Sequence, residues 1–391
     1  MSRRDAFDAL VVGAGLVGAS AVLALARAGL RVGVVEAHEP PPWRAEAPDL
    51  RVYALAPDAR ALLDSLGAWA PVASARAQPY RRMRIWDAAG GAELDFDADA
   101  LGQVCLGHIV EHALLVDRLW AAIAREPGIE RFCPDKLEAL VQDESGVDAS
   151  LADGRRLRAG LLFGADGAQS RVRSLAGIEW RGGGYRQRAI VAYVQCERTH
   201  EDTCWQRFLP TGPLAFLPCA DGRCSIVWTL PDAEAERLLA IDEPGFAAEL
   251  ERAFDARLGA ITAVSARRAF PLERRLAAGV LHGRVALLGD AAHVVHPLAG
   301  QGVNLGLRDV AALVATVRAA LAAGRDPAGP RLQRWARTRD SDNALAAHSF
   351  DAINRVFSND SLLPTLLRGP LLGLANAPGL ARLLWRRAAG A

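Results

Sequence analysis

The chain has 391 residues, 51% of them hydrophobic and 23% charged, with a formal net charge of +1. That length allows two domains and a large core. The charge balance excludes the basic field of a nucleic-acid binder, and six cysteines without a C-x-x-C pair argue for free thiols rather than a zinc or redox motif.

Arg3 and Arg4 ahead of the apolar run Ala9–Ala26 imitate a twin-arginine leader. Asp5, Asp8 and the interrupting glycines do not fit one, and no later run reads as a membrane span, so a cytoplasmic protein is expected. Phe7–Val12 reads as a strand, Gly13-Ala14-Gly15-Leu16-Val17-Gly18 as a tight turn, Ala19–Ala28 as a helix and Arg31–Glu36 as the next strand. This is a βαβ unit with the dinucleotide fingerprint: Gly13 makes the turn, Gly15 admits a pyrophosphate, and Gly18 lets helix and strand approach. Glu36 sits where an acid meets ribose hydroxyls, which points to FAD or NAD rather than NADP. Arg51, in DLRVYAL before a helix over Pro57–Leu66, reads either as a phosphate ligand or as a surface arginine.

Tyr80–Phe96 predicts a hairpin turning at Gly90-Gly91. His112 opens a helix near Leu114–Arg125 and reads either as a ligand contact or as a capping or core histidine. Leu161–Arg173 is a second strand–loop–helix, with Asp166-Gly167 as the turn and Ser170 as the helix cap. Strands are expected at Ile190–Gln195, Thr203–Leu209, Leu214–Cys219 and Cys224–Leu230, forming an antiparallel sheet whose Trp205, Phe208, Phe216 and Trp228 read as core. A helix over Phe246–Leu258 follows.

In RVALLGDAAHVVHPLAGQGVNLGLRD, a buried strand ends at Asp290, and a loop with His293, His296, Pro297, Gly300, Gln301 and Gly302 leads to a helix from Val303. The glycines permit close approach of a flat ligand, and the helix N-terminus favours negative charge. His293 and His296 have no third ligand nearby, so no metal is expected. Arg331–Phe357 reads as helical. Leu362–Trp385 is apolar with glycine and proline breaks, and reads as a docked helical pair; its arginines also suit a peripheral membrane contact.

GAGLVG with Glu36, GADGAQSRVR and GDAAHVVHPLAGQGVNLGLRD, in that order, resemble the single-component flavin aromatic hydroxylases. DLRVYAL, LGHIVEH, RFLPTGPLAFLP, CSIVWTLP and the tail DNALAAHSFDAINRVFSND look like the ubiquinone-biosynthesis branch, most like the 2-polyprenylphenol C5-hydroxylases. His112 departs from that branch, which usually has asparagine there. The resemblance implies an α/β fold: a discontinuous Rossmann-like FAD-binding domain of the p-hydroxybenzoate-hydroxylase type over 1–74, 102–179 and 268–330. An inserted antiparallel β-sheet substrate domain would take 75–101 and 180–267, and C-terminal helices 331–391.

It further implies FAD held by Gly13, Gly15, Gly18, Glu36, Arg51, His112, Asp166 and Asp290. The backbone of Gly300, Gly302, Val303 and Asn304 would hold the pyrimidine edge, and Pro297, Gly300 and Gln301 would stand at the reacting face. NAD(P)H or another donor would reduce the flavin, and a C4a-hydroperoxide formed with O2 would hydroxylate a polyprenylphenol. A ubiquinone-biosynthesis complex is a further implied partner. The alternatives are a flavin hydroxylase of another aromatic compound and a non-catalytic flavoprotein subunit.

Overall fold

The computed structural model describes residues 6–89, 93–295, 301–357, 373 and 378–390, with side chains omitted at 301, 350, 353–355 and 378. The chain runs β1 (Phe7–Val12), α1 (Leu16–Ala26), β2 (Val32–Val35), β3 (Val52–Leu55), α2 (Pro57–Ser65), α3 (Trp69–Arg76), β4 (Ala77–Tyr80), β5 (Arg82–Asp87), β6 (Leu94–Asp97), β7 (Gly107–Glu111) and α4 (His112–Ile123). Then come β8 (Ile129–Phe132), β9 (Leu137–Asp143), β10 (Gly146–Leu151), β11 (Arg156–Gly164), α5 (Arg171–Leu175), β12 (Trp180–Cys196), β13 (Thr203–Leu209), β14 (Gly212–Pro218) and β15 (Cys224–Pro231). Helices α6 (Asp232–Ala240) and α7 (Glu243–Ala253) precede β16 (Ile261–Val264), β17 (Arg268–Ala277), β18 (Leu281–His282) and β19 (Val285–Leu287). A 3-10 turn at Gly289–Ala291, β20 (His293–Val294), α8 (Gln301–Ala322), α9 (Pro330–Phe357) and α10 (Pro378–Ala389) complete the described elements.

The first sheet has the order β18-β19-β11-β1-β2-β8, with β10 and β9 added beside β11. Strands β19, β11, β1, β2 and β8 are parallel, and they are in step. Val12 pairs with both Val35 and Gly164, and Gly164 pairs with Leu287, so four strands end along one line. The chain leaves β1 toward β2 and β8, then returns to its other side at β11. Such a reversal opens a crevice beyond the strand ends, where open α/β sheets bind their ligands.

Helix α1 is buried almost all round because LVGASAVLALA offers no polar face, which fits its place between the sheet and helices α4 and α8. The Gly18 side of α1 touches the turn itself: a Cβ there would lie 2.0 Å from the Gly13 carbonyl oxygen. Only a glycine permits that approach.

The second sheet has nine strands, in the order β20-β17-β12-β15-β14-β13-β5-β6 with β16 beside β12. It is antiparallel except where β13 runs parallel to β5. One face packs on α6 and α7 through Trp86, Ile226, Trp228, Phe216, Phe246 and Phe254. The expected core role of Trp205, Phe208, Phe216 and Trp228 agrees with their burial. Strand β12 is far longer than expected, since its polar, glycine-rich first half pairs with β17 as a ribbon. A small third sheet, β3-β7-β4, packs Ala54 and Ile109 against Cys204, Met83 and Leu217 of the second.

Candidate active site

Each of the four aligned strands delivers its next residues to one place. Gly13 follows β1, Glu36 follows β2, Asp166 lies two residues beyond β11, and Asp290 lies in the 3-10 turn after β19. All four line a single cavity of about 1460 Å³. Gly15, Arg51, His112, Gly302 and Val303 line it as well. A drug-sized ligand occupies a pocket of roughly 300–1,000 Å³; this cavity has room for an extended dinucleotide and a second molecule.

At the glycine turn, Gly13 has φ +92°, the left-handed region glycine favours. Gly15 is the N-cap of α1 and supplies no capping side chain, so the first-turn N–H groups face the cavity as an anion site. A Cβ on Gly15 would meet nothing within 4 Å, so its bareness is not required by protein packing. Glu36 braces the turn: its carboxylate accepts the N–H of Ala14 at 2.6 Å and of Ala37 at 2.7 Å. Behind the turn, the buried Trp120 of α4 donates its indole N–H to the Ala14 carbonyl at 2.8 Å. No motif marks Trp120; it is found only because α4 packs on α1.

Asp166 caps α5, accepting the N–H groups of Arg171 at 2.7 Å and Val172 at 3.1 Å through one oxygen. Its other oxygen is buried without a partner among the described residues. Ser170 also caps α5, accepting from Arg173 at 2.9 Å. Arg51 is exposed on the cavity wall, its guanidinium 5.6 Å from the Phe270 ring centre. His112 is the first residue of α4, and its Nδ1 lies 3.2 Å from the Tyr53 hydroxyl. Burial pushes its imidazole down to about 4, with Arg51 adding to the effect, so it is neutral at pH 7.

Asp290 is open to the cavity yet enclosed by protein. Burial therefore raises its carboxyl above the ordinary carboxylate range, while the charges of His293 and Arg51 pull it down. Gly302 and Val303 present the start of α8 to the same space. Asn304 stands behind them, fully buried, and clasps the β3–α2 corner: it accepts the Ala56 N–H and donates to the Ala54 carbonyl, both at 2.9 Å. Its side-chain amide is thus engaged by protein backbone. Pro297, Gly300 and His296 lie outside the described residues, as does the side chain of Gln301. His293 directs Nε2 to Asp309 at 2.6 Å.

Beyond Gly302 the cavity continues over the free face of the nine-stranded sheet, where Met83, Ile85, Val191, Ala215, Leu217 and Val227 make an apolar wall. Leu384 and Trp385 of α10 line it too. An Arg308 guanidinium N–H donates to the Ala388 carbonyl of α10 at 2.7 Å; most of the apolar stretch Leu362–Trp385 lies outside the described residues.

A glycine turn and bare helix start at one end, a carboxylate and second helix start at the middle, and an apolar chamber beyond define a flavin-dependent monooxygenase. A family model for an FAD binding domain matches residues 6–332. The chain is 40% identical to the ubiquinone hydroxylase UbiL of Rhodospirillum rubrum, over 98% of this chain and 89% of that protein. It is also 40% identical to the 3-demethoxyubiquinol 3-hydroxylase of Escherichia coli, over 94% and 93%. The human ubiquinone biosynthesis monooxygenase COQ6 is 33% identical over 95% and 90%. The chain belongs to the FAD-dependent monooxygenase family that includes these proteins, and its cofactor is FAD.

Among solved structures, p-nitrophenol 4-monooxygenase PnpA of Pseudomonas putida aligns with a TM-score of 0.79 at 21% identity, covering 98% of this chain and 97% of that one. PqsL of Pseudomonas aeruginosa aligns with a TM-score of 0.76 at 24% identity, covering 94% and 99%. These likenesses show the fold.

Proposed function

We propose that this protein hydroxylates the ring of a polyprenylated phenol in ubiquinone biosynthesis, at C5 as the sequence resemblance implies. The observation that carries the reading is one continuous cavity lined by Gly15 at one end, by Gly302 farther along, and by an apolar sheet face beyond. Bound FAD, reduced by NAD(P)H or another donor, supplies the activation of O2. The chain's own residues then bind, orient and exclude water. The turn at Gly13 and Gly15 and the first N–H groups of α1 hold the pyrophosphate, with Glu36 toward the adenosine ribose and Arg51 toward the phosphates. Asp166 and Asp290 take sugar or ribityl hydroxyls. The backbone at Gly302 and Val303 favours negative charge on the flavin's pyrimidine edge. Neutral His112 offers a hydrogen bond without adding charge. The apolar chamber takes the substrate ring and the start of its chain while shielding the reacting centre from water.

The 40% identity to a 3-demethoxyubiquinol 3-hydroxylase favours a second reading, in which the same chemistry acts on a ring that is already partly decorated. Complementation separates the two. Strains each blocked at one ring hydroxylation receive the gene, and the accumulated intermediate is identified by mass. Rescue of the C5-blocked strain supports the first reading; rescue only of the demethoxyquinol-accumulating strain supports the second; no rescue in any strain, from FAD-loaded protein, rejects both.

A membrane contact belongs to the same reading. Among the described residues no helix is long and apolar enough to cross a membrane. Helix α10 carries exposed Leu383 and Leu384 beside exposed Arg382, Arg386 and Arg387, while Leu384 and Trp385 line the cavity. That mixture of apolar and cationic side chains suits an anionic lipid surface. Co-sedimentation with phosphatidylglycerol vesicles should fall on replacing the three arginines with glutamine; unchanged sedimentation would reject the contact.

A further inference from the structure

Gln206 lies in the middle of β13 on the face that looks into the cavity. Its neighbours across the sheet are Ile85 on β5, Ala215 on β14 and, one strand on, Val227 on β15, and all of them line the same space. These neighbours are aliphatic. Two residues to either side along β13, Cys204 and Phe208 are buried against apolar clusters. Gln206 itself is only 5% exposed. No hydrogen bond joins its carboxamide to a described residue, and the residue lines the cavity. A buried amide in apolar surroundings is costly unless something completes its hydrogen bonds. Here the only direction left is the cavity.

We infer that Gln206 binds the ring hydroxyl of the phenolic substrate, a specificity contact that rests on the polyprenylphenol reading given above. A carboxamide offers one acceptor oxygen and two N–H donors, and a phenol hydroxyl both donates and accepts. The pair is therefore complementary without any charge. The aliphatic residues around Gln206 hold the ring's hydrocarbon face and reject more polar molecules. An unsubstituted ring would leave the carboxamide unpaired, so discrimination comes from the penalty on the wrong ligand as much as from attraction to the right one. Thr229, on the adjacent part of β15, is 1% exposed and also lines the cavity. It marks where a second ring oxygen would sit.

The test uses FAD-loaded protein and two probes, 2-geranylphenol and geranylbenzene, which differ only in the hydroxyl. Binding is read from the change in flavin absorbance. Wild type should prefer the phenol by tenfold or more. Gln206→Leu should lose most of that preference, binding the phenol at least tenfold more weakly and geranylbenzene as well as or better than wild type, with its resting flavin spectrum unchanged. Gln206→Met, which keeps the length of the side chain, is the second variant should the leucine protein not retain FAD. A variant that keeps the wild-type preference overturns the inference while leaving the hydroxylase reading intact. Wild type that binds both probes equally also overturns it. Wild type that binds neither probe overturns the polyprenylphenol reading itself.

Discussion

His293 and Asp309 meet at 2.6 Å, Nε2 to Oδ2, with both side chains essentially removed from solvent. Asp309 lies on α8 and His293 on the short strand after the Asp290 turn. The same Asp309 oxygen accepts the Gly289 N–H at 3.0 Å, and its partner oxygen accepts Nε of Arg339 from α9 at 2.7 Å. Three separate segments are therefore locked around one carboxylate, immediately behind the turn that aims Asp290 into the cavity.

Replacing Asp309 by asparagine should destabilise the protein by about 3–5 kcal/mol, the usual cost of breaking a buried ion pair from one side. Burial opposes ionisation of Asp309, but His293 and Arg339 outweigh it and hold the carboxyl below its usual range. A lowered folded value means the contribution is complete above the ordinary aspartate pKa of about 3.9 and fades as pH falls through the lower folded value. Thermal melts should show wild type losing stability below that point more steeply than D309N. FAD titration at neutral pH should show weaker binding by D309N. Equal melting and equal FAD affinity would reject the role given to this carboxylate.

Alanine replacements at the glycines separate packing from ligand binding. At Gly18 a Cβ would strike the Gly13 carbonyl at 2.0 Å, so G18A should fail to fold or accumulate as insoluble protein. At Gly15 a Cβ meets nothing within 4 Å, and at Gly302 its nearest neighbour is a Val295 methyl at 3.8 Å. G15A and G302A should therefore fold normally yet purify with little or no yellow colour. Full FAD occupancy in either variant would mean that the cofactor does not approach that backbone.

What the sequence makes legible is local order. Strand, carboxylate or glycine, then helix is a pattern written over ten or so consecutive residues, and it places Gly13, Glu36, Asp166 and Asp290 at strand ends. That these four ends line up depends on register across β2, β1, β11 and β19, which pairs residues from opposite ends of the chain. Trp120 and Ala14, or Asn304 and Ala56, are joined across more than a hundred positions by topology alone. Strand β9 escapes notice because its apolar residues do not mark a buried face, Ala139 and Val141 being exposed, and the first half of β12 because its glycines and arginines carry no alternating burial. Gln206 reads as one polar residue in an amphipathic strand until the sheet shows which face it shares.

Trp120→Phe removes one N–H and little else. The Ala14 carbonyl it serves is buried at the glycine turn, where water has poor access. Leaving such a group unpaired costs about 1–3 kcal/mol. The melting temperature should drop accordingly, and FAD should dissociate faster because the turn is less firmly held. A phenylalanine variant with wild-type FAD dissociation would show that Trp120 supports only the α1–α4 packing.

His112 and His108 make the fold sensitive to mild acid. Burial lowers each imidazole to about 4, from an ordinary histidine value near 6.5. Between those two values the unfolded chain binds protons that the native protein refuses, so stability must fall as pH drops from about 6.5 toward 4. Each group adds at most about 1.4 kcal/mol per pH unit to that slope. Asparagine at position 112 removes one of the two contributions, and asparagine at 108 the other. Urea melts of the single variants should each show a shallower pH dependence than wild type in this window, and the double variant the shallowest. Because His112 lines the cavity and also meets Tyr53, only the H112N variant should change the pH dependence of FAD affinity as well. A steep slope that survives in the double variant would place the acid sensitivity elsewhere in the protein.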